Sequence, residues 1–181
     1  KRPEPALWRL VTAAAVLQKL DPAARGKVVQ LDLKAAGVPQ DVEQLPDAFR
    51  GFTNNHPVLM ELFSGSKRLQ LARWPNEGFA QYGEIVDSGS GLRDPRGPKR
   101  PARFTVEDDR VRRWNVEDGV WLNGYWARAY LCESVRIAKI DKEKRELEWA
   151  VPLGYGLDSW GAKRFFAFNL LCELDMPGEW F

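Results

Sequence analysis

One histidine, two cysteines and two methionines occur among 181 residues, and these scarcities remove whole classes of chemistry. His56 is the sole imidazole and sits between Asn55 and Pro57 in what reads as a loop, with no marked nucleophile beside it. Ser-His-Asp and Cys-His schemes therefore have no assembled base. Metal sites built on His and Cys lack ligands, the acidic residues do not follow a calcium-loop spacing, and neither a metal nor a cofactor is expected. No glycine-rich phosphate loop follows a strand, which removes nucleotide chemistry. The chain has no apolar run of bilayer length and no basic-then-apolar leader, so no membrane partner is expected. A net charge of +2 supplies no whole-molecule field that would attract nucleic acid. Cys132 and Cys172 lie far apart without metal-like spacing. They read as buried reduced thiols, or as a disulfide if the parent chain is exported.

What is present is ordinary globular composition, with 44% hydrophobic and 29% charged residues. A chain of this length forms one domain, residues 1–181, that buries about two thirds of its unfolded surface. Alternating apolar and polar residues dominate over helical periodicity. Leu62, Leu69 and Leu71 alternate with Glu61, Arg68 and Gln70 around Ser64-Gly65-Ser66, predicting a hairpin, and Trp74-Pro75 with Asn76-Glu77-Gly78 ends its second strand in a turn. Val135–Ile140 and Arg145–Val151 predict a second hairpin closed by Asp141–Lys144. Further strands are expected over Ala6–Val11, Lys27–Leu33, Phe79–Val86, Ala102–Val106, Val120–Tyr130 and Lys163–Asp175. Thr12 is placed to cap a helix over Ala13–Leu20 that Asp21-Pro22 stops, and Asp108–Trp114 reads as a helical turn. Val38–Pro57 reads as a long connection. These features predict a mainly β fold, a compact antiparallel barrel or sandwich with one or two short helices near the N-terminus.

Eight tryptophans are unusual for this length. In an extended Val120–Tyr130, Trp121, Asn123 and Tyr125 fall on one face and Leu122 and Trp126 on the other. Either the strand is covered on both sides, or one face of rings forms an open platform, since sugars stack their C–H faces on aromatic rings. The candidate glycan-contacting residues are Trp121, Tyr125, Trp126, Tyr155 and Trp160, the last two from a glycine-spaced loop at Gly154–Gly161. The basic segment Arg93–Arg103 reads as a solvated loop, with contact to acidic glycan or nucleic acid as the alternatives. Glu173 and Asp175, two apart on the expected last strand, would project to one face about 7 Å apart. Glycoside hydrolysis uses carboxyl pairs at roughly 5 to 10 Å, so a small glycosidase with this pair is the alternative function. A turn at Met176-Pro177-Gly178 instead favours capping or pairing with arginine.

The segment from Glu61-Leu62-Phe63 through Leu71-Ala72-Arg73-Trp74-Pro75-Asn76-Glu77-Gly78-Phe79 resembles the insertion domain of bacterial right-handed parallel β-helix proteins related to glycoside hydrolase family 141. Phe165–Trp180 is similar to the segment with which that insertion rejoins the helix, and Ala24–Val28 with Asp32-Leu33 resembles its beginning. The sequence departs from the pattern at Cys172, where an acidic residue is usual, and in the basic character of Arg93–Pro101. The resemblance implies an accessory, non-catalytic domain excised from a longer chain, with the β-helix of that chain as partner and oligosaccharide or polysaccharide as a contact. It also implies a secreted or periplasmic bacterial parent that is itself a hydrolase or lyase. No catalytic residue carries over, because the family's lie outside this stretch.

Overall fold

The structure is a computed structural model and describes residues 7–38, 46–50, 60–91, 95, 98–158 and 162–181. The fold is mainly β, as expected, and its largest sheet has nine strands. Around that sheet Arg164–Phe168 pairs with Trp121–Tyr125, which pairs with Glu133–Asp141; Glu146–Trp149, Arg103–Thr105 and Ile85–Asp87 follow, all antiparallel. The two ends of this order are joined by one stretch of chain. Ala80 and Gln81 pair with Phe165 and Arg164, and Tyr82 donates its backbone N–H to the Lys163 carbonyl. At the next residue, Gly83 donates to the Thr105 carbonyl at 2.8 Å, and Thr105 donates to that of Glu84 at 2.9 Å. Residues 80–87 thus join the two ends of the sheet and close it into a barrel.

Strand alternation decides what fills it. Leu122, Gly124 and Trp126 point inward with Phe165, Ala167, Val135, Ile137 and Leu147, all buried. Tyr82, Phe104, Trp126, Trp149 and Phe165 form an aromatic centre in which Trp126 lies 5.2 Å from Trp149 and 5.8 Å from Phe104. The polar tips of this cluster are mostly satisfied. Trp126 Nε1 donates to the Glu133 carbonyl at 2.9 Å, and the Tyr82 hydroxyl donates between the carbonyls of Trp126 and Asp158. Burial and the charge of Asp158 push the Tyr82 phenol up to about 12, so it stays a donor at all ordinary pH. Gly124 makes the arrangement sterically feasible, because a Cβ there would lie 2.8 Å from the Trp126 ring and 2.9 Å from Phe165 Cβ. Gly124→Ala is expected to cost about 1–3 kcal/mol by overpacking, read as a lower urea midpoint at unchanged slope.

Several local expectations hold. The hairpin Glu133–Asp141 with Glu146–Trp149 is present, with Asp141 Oδ1 accepting from Lys144 N–H and Arg145 at φ 54°. The turn predicted at Ser64–Ser66 joins Phe63–Ser64 to Lys67–Arg68, with Gly65 at φ 64°. Asp108 caps the 3-10 turn Asp109–Arg113 by accepting from Arg110 N–H.

Other expectations are revised. The helix spans Ala14–Lys19 with Ala13, not Thr12, at its N-cap, because the chain enters through the Ala13 carbonyl and no side chain reaches the free N–H groups. Ala48–Arg50 is a strand on Glu133–Val135 where a plain connection was expected. The last long strand stops at Phe168 because Asn169 takes φ 59°, and Leu171–Glu173 is a 3-10 turn. The end strand Glu179–Trp180 runs parallel to Gln70–Leu71. Among the described residues no helix is long and apolar enough to cross a membrane.

Candidate functional site

The outward positions of the same strands carry a second aromatic system. Because side chains alternate across a strand, residues paired across the ladder share a face. One row of outward positions is Gln81, Arg164 and Tyr125; the next runs through Phe166, Asn123, Ser134 and Phe49; the third through Arg73, Phe168, Trp121 and Arg136. Five ring contacts link them into a continuous strip on the outside of the barrel. Phe79 lies 5.8 Å from both Tyr125 and Phe166, Phe166 is 5.9 Å from Phe168, Trp121 is 6.2 Å from Phe168, and Phe49 is 5.5 Å from Trp121.

Two arginines are laid into this strip. The Arg73 guanidinium sits 3.9 Å from the Phe166 ring centre, and that of Arg164 sits 4.3 Å from Tyr125 and 5.2 Å from Phe79. Their circumstances differ. Arg73 donates to the carbonyls of Pro75 and Gly78, so it pins the turn after its own strand, and burial pulls its pKa below the usual guanidinium value. Among the described residues the Arg164 side chain makes no hydrogen bond and no ion pair, and its Nε is buried without an acceptor. At the far side of Tyr125, Asn123 is fixed by donating to Ser134 Oγ and accepting from the Cys132 thiol, both at 2.8 Å. Burial raises the pKa of that thiol, which keeps it protonated and donating.

The sequence-predicted contact residues divide sharply on this frame. Tyr125 is half-buried in the outer strip, and Phe79, which sequence reasoning did not single out, is its most open ring at 42% exposure. Trp121 belongs to the strip but is only 4% exposed, and Trp126 is wholly buried in the barrel. The platform that Trp126 was to share is therefore not open to a ligand, because its parity turns it inward. Tyr155 is exposed, with Arg128 over its ring at 5.5 Å. Trp160 and His56 lie outside the described residues. Phe79 and Phe166 were legible only as strand bulk, since nothing local marks which rings from separate strands will adjoin.

Glu173 and Asp175 do not share a strand face. Glu173 is completely buried, accepting from Trp114 Nε1 at 2.9 Å. Its second oxygen lies 3.0 Å from Arg110 Nε as an ion pair rather than an aligned hydrogen bond. Asp175 takes the other arm of Arg110 at 2.6 Å and accepts from Asn76. Arg110 therefore ties the turn Asp109–Arg113 to the segment after the last barrel strand. Burial raises the Glu173 carboxyl above its ordinary value despite Trp114 and Arg110, which pull it down. Both cysteines are free, and burial together with the Glu173 charge takes the Cys172 thiol up to about 12. Of the basic loop, Arg100 pairs with Asp87 at 3.1 Å and Arg103 with Glu146 at 2.9 Å, while Arg93 and Arg96 lie outside the described residues. Among the described residues no three His, Cys, Asp or Glu side chains gather as metal ligands.

A second surface lies away from the strip. An apolar cavity of about 540 Å³ opens between the N-terminal and C-terminal segments, with Val29, Leu31, Leu69, Leu171, Trp180 and Phe181 among its lining residues. No family model, no curated protein and no solved structure matches this chain.

Proposed function

We propose that this domain is a non-catalytic accessory module of a carbohydrate-active parallel β-helix enzyme, supporting its neighbour and contacting glycan through the outer aromatic strip. The observation that carries the reading is the strip itself. Phe79, Tyr125 and Phe166 come from separate segments, stay partly open, and adjoin a fixed asparagine amide, a combination suited to C–H stacking with polar orientation of hydroxyl groups. The stretches that carry the resemblance at its two ends, Ala24–Leu33 and Phe165–Trp180, meet at the apolar cavity through Leu31, Leu171 and Trp180, which is the placement an insertion into another domain requires. The alternative, hydrolysis by Glu173 and Asp175, is disfavoured by their joint commitment to Arg110 and by the complete burial of Glu173.

Binding is tested by titrating the protein with a panel of oligosaccharides and reading intrinsic fluorescence and calorimetric heat. At least one member is expected to bind in the millimolar range or tighter. Tyr125→Ala and Phe79→Ala are each expected to weaken it by about five- to tenfold while leaving the melting transition within a few degrees of wild type, since both rings lie outside the barrel core. Silence from every sugar at millimolar concentration would remove the glycan-contact part of the proposal.

A further inference from the structure

Several arginines among the described residues are matched to an acid. Arg100, Arg103, Arg110, Arg113, Arg136 and Arg145 each sit within 3.1 Å of a carboxylate oxygen. Arg164 has no such partner among the described residues while being half-buried, and desolvation makes a counter-charge valuable there. Two rings hold it in place, Tyr125 at 4.3 Å and Phe79 at 5.2 Å, and its backbone is locked between Gln81 and Tyr125 in the middle of the barrel wall. The guanidinium is thus positioned in advance, with no described residue taking its donors, on the surface proposed above to receive a sugar. A planar fork of this kind matches a carboxylate or sulfate with two parallel hydrogen bonds.

We infer that the outer strip selects acidic saccharides, with Arg164 binding the carboxylate or sulfate of a sugar whose ring lies on Phe79 and Tyr125. This inference rests on the glycan-contact reading and names the class of ligand. Neutral sugars lose the charge-assisted pair but keep the stacking surface. An acidic ligand supplies the missing counter-charge and meets donors that need no reorganisation. Its affinity should also fall with added salt, because one partly exposed ion pair is formed on binding.

The experiment uses an oligouronate, its fully methyl-esterified form of the same length, and a sulfated oligosaccharide, each titrated into wild type, Arg164→Lys and Arg164→Gln. The free acid is expected to bind wild type about tenfold or more tightly than the ester. Arg164→Gln should erase that ratio with little change for the ester, and Arg164→Lys should restore part of it. Preference for the sulfated sugar over the uronate identifies sulfate as the anion and supports the inference equally. Equal binding of acid and ester by wild type overturns the selectivity but leaves the glycan-contact reading standing, and no binding by any of the three overturns the selectivity along with that reading for these sugars. A preference for acid that survives intact in folded Arg164→Gln overturns the role of Arg164. The acid-to-ester comparison needs only wild type, so it decides the selectivity even if a variant does not fold.

Discussion

Trp126→Ala is expected to be the most damaging single truncation of the barrel, lowering stability by about 3–5 kcal/mol. The residue is wholly buried and its ring lies within 6.1 Å of Tyr82, Phe104, Trp149 and Phe165, so its loss leaves a cavity walled by rigid rings that cannot collapse into it. The Glu133 carbonyl also loses the indole donor that holds that corner. For a chain of this size each kcal/mol moves the melting temperature by about 2–4 °C, so a fall of roughly 10 °C or more should appear in calorimetry. Trp126→Phe keeps a ring but not the N–H, and about 1–2 kcal/mol is expected there. A Trp126→Ala protein that melts within two or three degrees of wild type would mean that closure of the barrel contributes little to stability.

The second large effect is expected at Glu173. Glu173→Leu removes the acceptor for Trp114 and one of the two carboxylates facing Arg110, and about 3 kcal/mol should be lost. Glu173→Gln keeps an acceptor for the indole and should cost only about 1 kcal/mol at neutral pH. The pH dependence has a definite sign. Because burial raises this carboxyl in the folded protein above the ordinary value of 4.5, the native state binds the proton more tightly than the unfolded chain does. The stabilisation from that proton is complete below the unfolded value and is lost as pH rises through the folded one. The stability advantage of wild type over Glu173→Gln should therefore be largest in acid and shrink as pH rises above 4.5. An advantage that grows with pH over that window would show that the pair with Arg110, not burial, governs this site. Combining Glu173→Leu with Arg110→Met should recover part of the loss of the single variant, since the cost is dominated by leaving one partner uncompensated.

The sites differed in how legible they were. Parity along Trp121–Trp126 was readable from the residues alone, and the structure keeps Leu122 and Trp126 on one side and Asn123 and Tyr125 on the other. Which side faced a core was not readable, because both sides carry rings and alternation says nothing about what lies opposite. The contact set needed Phe79, which reaches Tyr125 from another segment, and Phe166, which adjoins Phe79, and Trp126 had to be withdrawn from it once its face proved to be the interior. Glu173 and Asp175 were placed on a strand that in fact ends at Phe168, where Asn169 adopts a left-handed conformation that local apolar content did not announce.

From the residues alone came the β class, the hairpin over Glu133–Trp149, the turn at Gly65 and the helical turn over Asp108–Trp114, all of them products of period-two alternation and short-range turn chemistry. Only the tertiary structure decided that residues 80–87 close the sheet, that Ala48–Arg50 joins it, and that Arg110 meets two acids 63 and 65 positions away. The reason is the range of the forces involved. Alternation and turns are set by neighbours in the chain, whereas strand partners, an inside and an outside, and the seating of Arg164 between Tyr125 and Phe79 exist only once distant segments compete for the same buried surface.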